Sequence, residues 1–228
     1  NRAIVRACSD MDLIPISTGT NNVFPALMEP TIAGMVAGLN CLGRFDDAPA
    51  ELKQAVKVLH LITPQGADVG LIDAVLLLND SVGNLLPFDA QRLSRMVLTR
   101  AEPNAIGMSP IGGYIDPVYA QDDVGLVVDM GPGGSEVLAP LSPGFYKTVN
   151  VLSTHRVDFA EEVVLEGPGV VALDGDRDHK INAGERAVVS VRRDGPRVLD
   201  VDAAMRWAVA AGMMAPAILT STLSNQGK

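Results

Sequence analysis

The stretch Asp12-Leu13-Ile14-Pro15-Ile16-Ser17-Thr18-Gly19-Thr20-Asn21-Asn22-Val23-Phe24-Pro25 decides how the chain is read. Leu13, Ile14 and Ile16 form a short apolar run of the kind buried in an α/β sheet. The run ends in small polar residues around one glycine, and ligands of open α/β sheets bind at the carboxyl ends of strands. Gly19 allows a positive φ and close approach of backbone to ligand. Ser17, Thr18, Thr20, Asn21 and Asn22 supply hydroxyls, amides and N–H groups suited to ribose or phosphate oxygens. The same residues also make ordinary turns, so a capped strand-to-loop turn is the competing reading.

Around this stretch lie two helical patterns. Residues 1–10 read as a short helix with Ile4, Val5 and Cys8 on one face. Pro30 opens a second helix to about Asn40, whose Ile32, Met35, Val36 and Leu39 form a core-facing stripe. Gly34 and Gly38 within it suggest close packing against a neighbour. Helix, strand, loop and helix make a piece of a βαβ-type domain, too short to close one.

After residues 43–49 the texture changes to short, Val-rich runs: 56–62, 69–78, 96–98, 124–129, 137–139, 149–152, 163–165, 170–173, 187–191 and 198–201. Turn residues separate them at 65–66, 131–134, 167–169 and 194–196. Regular short strands with Gly and Pro turns predict an antiparallel sandwich or barrel. A short helix is expected over 89–95 with Asp89 as its cap, and another over 202–214 that packs back on the first part of the chain.

Composition removes several functions. The formal net charge of −9 argues against broad nucleic-acid binding, which needs a basic surface. Two cysteines, Cys8 and Cys41, make no disulfide framework, which makes a reducing cytoplasm the expectation. The apolar tail is broken by Asp202, Arg206 and Pro216, so no membrane span or membrane partner is expected. No serine sits in a nucleophile elbow, and His60, His155 and His179 lack metal-ligand spacing. Asp174, Asp176, Asp178, Asn182 and Glu185 approach a calcium-loop spacing, but His179 stands where glycine is needed, and a solvated hairpin turn fits better. Asp73, inside an apolar run, must face solvent, a partner or a ligand, and an edge position is the simplest account.

Taken in order, the segments 17–25, 98–107 and 137–144, with 67–80 and Leu173-Asp174-Gly175-Asp176, resemble the NAD kinase and diacylglycerol kinase superfamily. Within it the chain is most similar to the acetoin-catabolism protein X family of NAD-kinase-like proteins. The resemblance implies an α+β fold: a remnant of an α/β, Rossmann-like nucleotide domain (1–45), an all-β sandwich (50–200), and a carboxyl-terminal helix and tail (201–228) returning to the first domain. The family's Gly-Gly-Asp-Gly-Thr loop is not in this sequence, and the resemblance puts it, with the catalytic aspartate, ahead of Asn1. The chain is therefore expected to be an inactive fragment. Carried over onto matching positions, Ser17, Thr18, Gly19, Thr20, Asn21 and Asn22 line the nucleotide cleft. Asp73 stands near the Asn-Glu pair of NAD kinases, although Ile72 replaces the Asn, and Ser109 opens the counterpart of their Thr-rich loop. Asp174 and Gly175 match a cleft-facing turn, and Asp174 or Asp176 is the candidate for a place near the metal or acceptor.

What the resemblance implies is ATP-dependent phosphoryl transfer to a hydroxyl of NAD or a similar molecule, with ATP or NAD(P) as ligand and Mg²⁺ as helper. The alternative is a nucleotide-binding or regulatory protein of acetoin catabolism without catalysis. The partner is a small-molecule nucleotide, and the sandwich is expected to build a homo-oligomer.

Overall fold

A computed structural model describes residues 2–8, 10–18, 24–84 and 89–214. Two antiparallel sheets form the bulk. One has four strands: Gly66–Gly70 (β4), Val58–Thr63 (β3), Arg186–Arg192 (β12) and Val163–Glu166 (β9), in that order. The other has six: Asp176–Ile181 (β11), Gly169–Leu173 (β10), Asp73–Leu77 (β5), Leu93–Leu98 (β6), Val124–Ser142 (β7) and Phe145–Asp158 (β8). Their alternating side chains divide between two cores. Ala74, Leu76, Val97, Val127 and Leu173 meet Leu59, Leu61, Val189 and Val191 between the sheets. Val75, Leu77, Met96, Leu98 and Leu126 point the other way, under Ile111 of the short helix Ser109–Gly113 (α3). Every residue of β5 is buried, which is why that stretch reads as continuously apolar apart from Asp73.

Beside the sandwich lies a small sheet of three strands, in which Arg197–Leu199 (β13) runs between Asp12–Leu13 (β1) and Lys53–Ala55 (β2). Pairing is parallel with β1 and antiparallel with β2. The helices Pro30–Cys41 (α2) and Val201–Ala210 (α4) pack on each other through Val36, Ala204, Ala208 and Phe45, with Trp207 edge-on to Phe45 at 5.9 Å. Pro30 starts α2 as its sequence predicts, while α4 is capped by the Asp200 carboxylate, which accepts from Ala203 N–H at 2.9 Å, and ends at Ala210, short of the expected 214.

Several expectations are corrected. The run 69–78 is two strands in different sheets, broken at Leu71-Ile72, where Asp174 engages the backbone N–H groups. Residues 131–134 are no turn but a bulge inside β7, where Met130 and Ser135 both oppose Val151. A Cβ on Gly134 would stand 2.5 Å from the Val151 carbonyl, so the chain bends there without a side chain. The bend folds the outer half of the β7–β8 hairpin over the core, bringing Val137, Ala139 and Val149 against α3's side of the sheet. The helix expected over 89–95 is only a turn at Ala90–Arg92, capped by Asp89, because Leu93 and Met96 are needed in the sheet core. No atom lies near where a Cβ of Gly34 or Gly38 would be, so these glycines mediate no close packing. The helix Arg2–Ala7 (α1) buries Val5 but leaves Ile4 and Cys8 exposed.

Candidate functional site

The site is built where the small sheet meets the sandwich. Ile16 bridges to Ala26, and Ser17 N–H donates to the Ala26 carbonyl at 2.9 Å, closing the base of the polar loop. Ser17 is half-buried and Thr18 exposed; Gly19, Thr20, Asn21 and Asn22 fall outside the described residues. Phe24, at the far end of the loop, joins Val5, Val58, Leu71 and Ile72 in an apolar cluster. Phe24 also lines a cavity of about 250 Å³ together with Lys57, Thr99, Arg100 and Arg193, with Glu51 and Asp200 at its wall.

Three cations thus converge. The Lys57 ammonium donates to the carbonyls of Tyr119 (2.9 Å) and Val124 (2.8 Å). Desolvation and the nearby Arg193 lower its pKa to about 8. The Arg193 guanidinium donates to the Ala55, Ala120 and Asp122 carbonyls and to the Asp123 carboxylate. Arg100 sits over the Phe24 ring, 5.6 Å from its centroid, with Glu102 3.7 Å away. Its backbone is held by Ser109, whose hydroxyl donates to the Arg100 carbonyl at 3.0 Å and accepts from Glu102 N–H at 2.8 Å. Ser109, expected to face the cleft, is fully buried; its role here is to fix the segment that carries Arg100.

Asp73 and Asp174 come together behind this wall. The Asp174 carboxylate accepts from Leu71 N–H at 2.8 Å, Ile72 N–H at 2.7 Å and Asp73 N–H at 3.3 Å, a nest of successive amides. Asp174, with φ at 50°, and Gly175, with φ at 93°, turn β10 into β11 in the left-handed backbone that such a tight hairpin needs. Thr99 ties the same turn to the cavity by donating to the Leu71 carbonyl at 2.7 Å. Asp73 is not at an edge: it opens a central strand, is buried, and its Oδ1 has no hydrogen-bond partner. Burial and the neighbouring Asp174 push its pKa up to about 8. Burial also pushes the Asp174 carboxyl up, opposed only in part by the amide hydrogen bonds, so the two carboxyls titrate as a pair that holds a proton between them.

The remaining candidates are committed elsewhere. Arg2 of α1 binds Asp178 at 2.6 Å and Asp176 at 3.0 Å, so the carboxylates with calcium-like spacing are a hairpin docked on a helix. Asp68 completes that cluster, taking Arg6 at 2.9 Å and His179 at 2.9 Å. His60 faces Asp194, and His155 is exposed on β8. Among the described residues no group of His, Cys, Asp and Glu is arranged to hold a metal. Asp174 spends its oxygens on amides and Asp176 meets Arg2, so neither fits a Mg²⁺ site, and no step is assigned to the ion.

Sequence reading missed Lys57, Arg100 and Arg193 as a set. The signal for one was present, since Lys57 is a lone charge in the apolar run 56–62. Nothing in the sequence alone brings the other two to it.

Comparisons with known proteins bear on this geometry. Residues 57–194 match the family model described as "Acetoin catabolism protein X C-terminal domain". The chain is 33% identical over 217 residues to "Acetoin catabolism protein X" of Cupriavidus necator, covering 91% of this chain and 60% of that protein. In three dimensions it is similar to yeast NADH kinase, solved in complex with NADH, at a TM-score of 0.53 and 10% identity, over 93% of this chain and 62% of the kinase. The chain therefore spans about three fifths of the length of each, and the kinase likeness shows a shared NAD-kinase-like α+β fold. Among the described residues no helix is long and apolar enough to cross a membrane.

Proposed function

The chain belongs to the acetoin catabolism protein X family, and from that premise we propose that it carries one wall of a nucleotide-binding cleft. The nucleotide lies between the 17–22 loop and the junction of the small sheet with the sandwich. The observation that carries this reading is the cation-lined cavity whose wall includes Phe24, the residue through which that loop rejoins the fold. Of the polar residues expected to meet the ligand's sugar or phosphate, Ser17 and Thr18 are the ones among the described residues. In a form that carries the family's Gly-Gly-Asp-Gly-Thr loop, the reading extends to phosphate transfer from ATP to a hydroxyl of NAD or a similar acceptor. Such chemistry rests on positioning and charge neutralisation.

Titration calorimetry with ATP, NAD and NADP, followed by an assay for NADP formation, tests this. The 228-residue chain is expected to bind nucleotide and to form no NADP. Asn21→Ala and Asn22→Ala should each weaken binding about tenfold, as expected for one lost hydrogen bond to a charged phosphate. Absence of nucleotide binding by both this chain and a longer form overturns the proposal.

One observation favours a second reading, a nucleotide-binding regulator without catalysis. Where NAD kinases hold an Asn-Glu pair, this protein has apolar Ile72 and a buried Asp73 that shares a proton with Asp174. Binding without turnover by a form that includes the upstream loop would support it.

A further inference from the structure

Lys57 is a charge that the fold buries without an acidic partner. It precedes β3, 4% of its surface is exposed, and among the described residues it forms no ion pair. Its nitrogen donates instead to two main-chain carbonyls, those of Tyr119 at 2.9 Å and Val124 at 2.8 Å. Two acceptors match the two hydrogens of a neutral amine and leave its lone pair free, whereas an ammonium carries a third donor. Desolvation and then Arg193 favour the neutral amine, with a smaller push from Arg100; Asp122 and Asp123 oppose them, and the pKa is lowered to about 8. The other carboxylates at the cavity do not hold the charge: Glu51 is exposed at its wall, and Asp200 caps α4 at the Ala203 N–H. Lys57 lines the cavity of about 250 Å³, whose wall is apolar at Phe24, Val56 and Val198. That space is the share of roughly eight waters, room for a molecule of a few carbons.

We propose that Lys57 is a nucleophilic lysine whose amine forms a Schiff base with a small aldehyde or ketone held in this cavity. The nitrogen lone pair attacks the carbonyl carbon, one N–H proton passes to the carbonyl oxygen, and a carbinolamine results. Loss of that oxygen as water gives the imine, so no oxidant or reductant is needed. The protonated imine keeps one N–H for one of the two main-chain carbonyls, and the apolar wall takes the alkyl groups. Lysines desolvated next to a second cation serve as nucleophiles because a useful fraction of them is neutral near pH 7. The inference uses the cavity and its lysine alone, and it stands or falls separately from the nucleotide reading.

The test treats the whole chain with propanal and cyanoborohydride, which reduces an imine to a stable N-propyl lysine, and maps the modified peptides by mass spectrometry. The lysines are Lys53, Lys57, Lys147, Lys180 and Lys228. At about pH 7.5 Lys57 is expected to react at least about tenfold faster than the exposed Lys147 and Lys180, because an amine's neutral fraction falls tenfold for each unit its pKa stands above the pH. The rate at Lys57 should reach half its limit near pH 8, and Arg193→Gln, which removes a cation that favours the neutral amine, should move that midpoint up. In concentrated urea the lead of Lys57 should vanish, since it belongs to the fold and not to the local sequence. The urea and pH measurements on the unaltered chain decide the matter even if the variant folds poorly. Equal rates at Lys57, Lys147 and Lys180, a lead that persists in urea, or a midpoint near the ordinary lysine value of about 10.4 overturns the proposal. Nucleotide binding without preferential labelling overturns this inference alone, and labelling without nucleotide binding overturns only the nucleotide reading.

Discussion

Replacing Asp73 by Asn should stabilise this protein, and by an amount that depends on pH. Asp73 is buried at the head of a central strand, its Oδ1 has no partner, and its proton is held against Asp174 up to a pKa of about 8. In the unfolded chain an aspartate titrates near 3.9. Between these values the folded state binds one more proton than the unfolded state, so stability falls as pH rises, by about 1.4 kcal/mol per pH unit. It is fully present below about pH 4 and is lost progressively up to about pH 8. At pH 7 the cost has accumulated to about 4 kcal/mol. Asparagine has nearly the same shape and needs no proton. Part of the gain is offset where its amide must find acceptors, leaving about 3 kcal/mol, or roughly 6–12 °C in Tm for a chain of this size. Thermal melts of both proteins from pH 5 to 8 give the measurement: the two curves should converge at the acid end and separate as pH rises. A variant no more stable than the parent at pH 7.5, with an unchanged pH slope, would refute the shared-proton reasoning.

Other perturbations follow from the same geometry. Asp174→Ala orphans the N–H groups of Leu71, Ile72 and Asp73 and should cost about 3–5 kcal/mol in denaturant unfolding, whereas a substitution at exposed Asp176 should cost under about 1. In the Asp73→Asn background, Lys57 dominates the alkaline side: its folded pKa of about 8 lies below the ordinary lysine value, so stability should rise by about 2 kcal/mol between pH 8 and 10. Gly125→Ala would set a Cβ 2.6 Å from Val191 Cγ2 and 3.1 Å from the Leu98 carbonyl, and should lower stability by about 1–3 kcal/mol. Arg2→Gln releases α1 from Asp176 and Asp178, so amide exchange in Arg2–Ala7 should speed up while β5 and β6 stay protected.

The sandwich was legible because Val-rich alternation and Gly-Pro turns report directly on half-buried strands. What escaped were places where tertiary partners overrule the local pattern. Leu71 and Ile72 continue an apolar run, yet the Asp174 carboxylate, supplied from a distant hairpin, takes their amides and ends the strand. Residues 131–134 carry every mark of a reverse turn, but β8 pairs on both sides of them and makes them a bulge. Asp73 was legible as a chemically demanding carboxylate, though the sequence could not say that it was central instead of at an edge. For the candidate cavity the residue types were visible and their meeting was not. Lys57 precedes β3, Arg100 follows β6 and Arg193 follows β12, so only the order of strands in space joins them.

The strand β13 carries a consequence for how the chain can assemble and be divided. It is the middle member of the small sheet, yet it comes from near residue 197, and its Arg197 grips Asp12 across 185 positions of sequence. Until that late segment arrives, β1 and β2 lack the strand that joins them. The sandwich shares that dependence, because β3 pairs with β12, and that pairing brings β2 and β13, which flank them in sequence, side by side at little further loop-closure cost. A cut between the two portions would therefore not release two independent modules: the front piece would lose its keystone, and the cleft wall would lose the scaffold that holds Phe24 against Arg100.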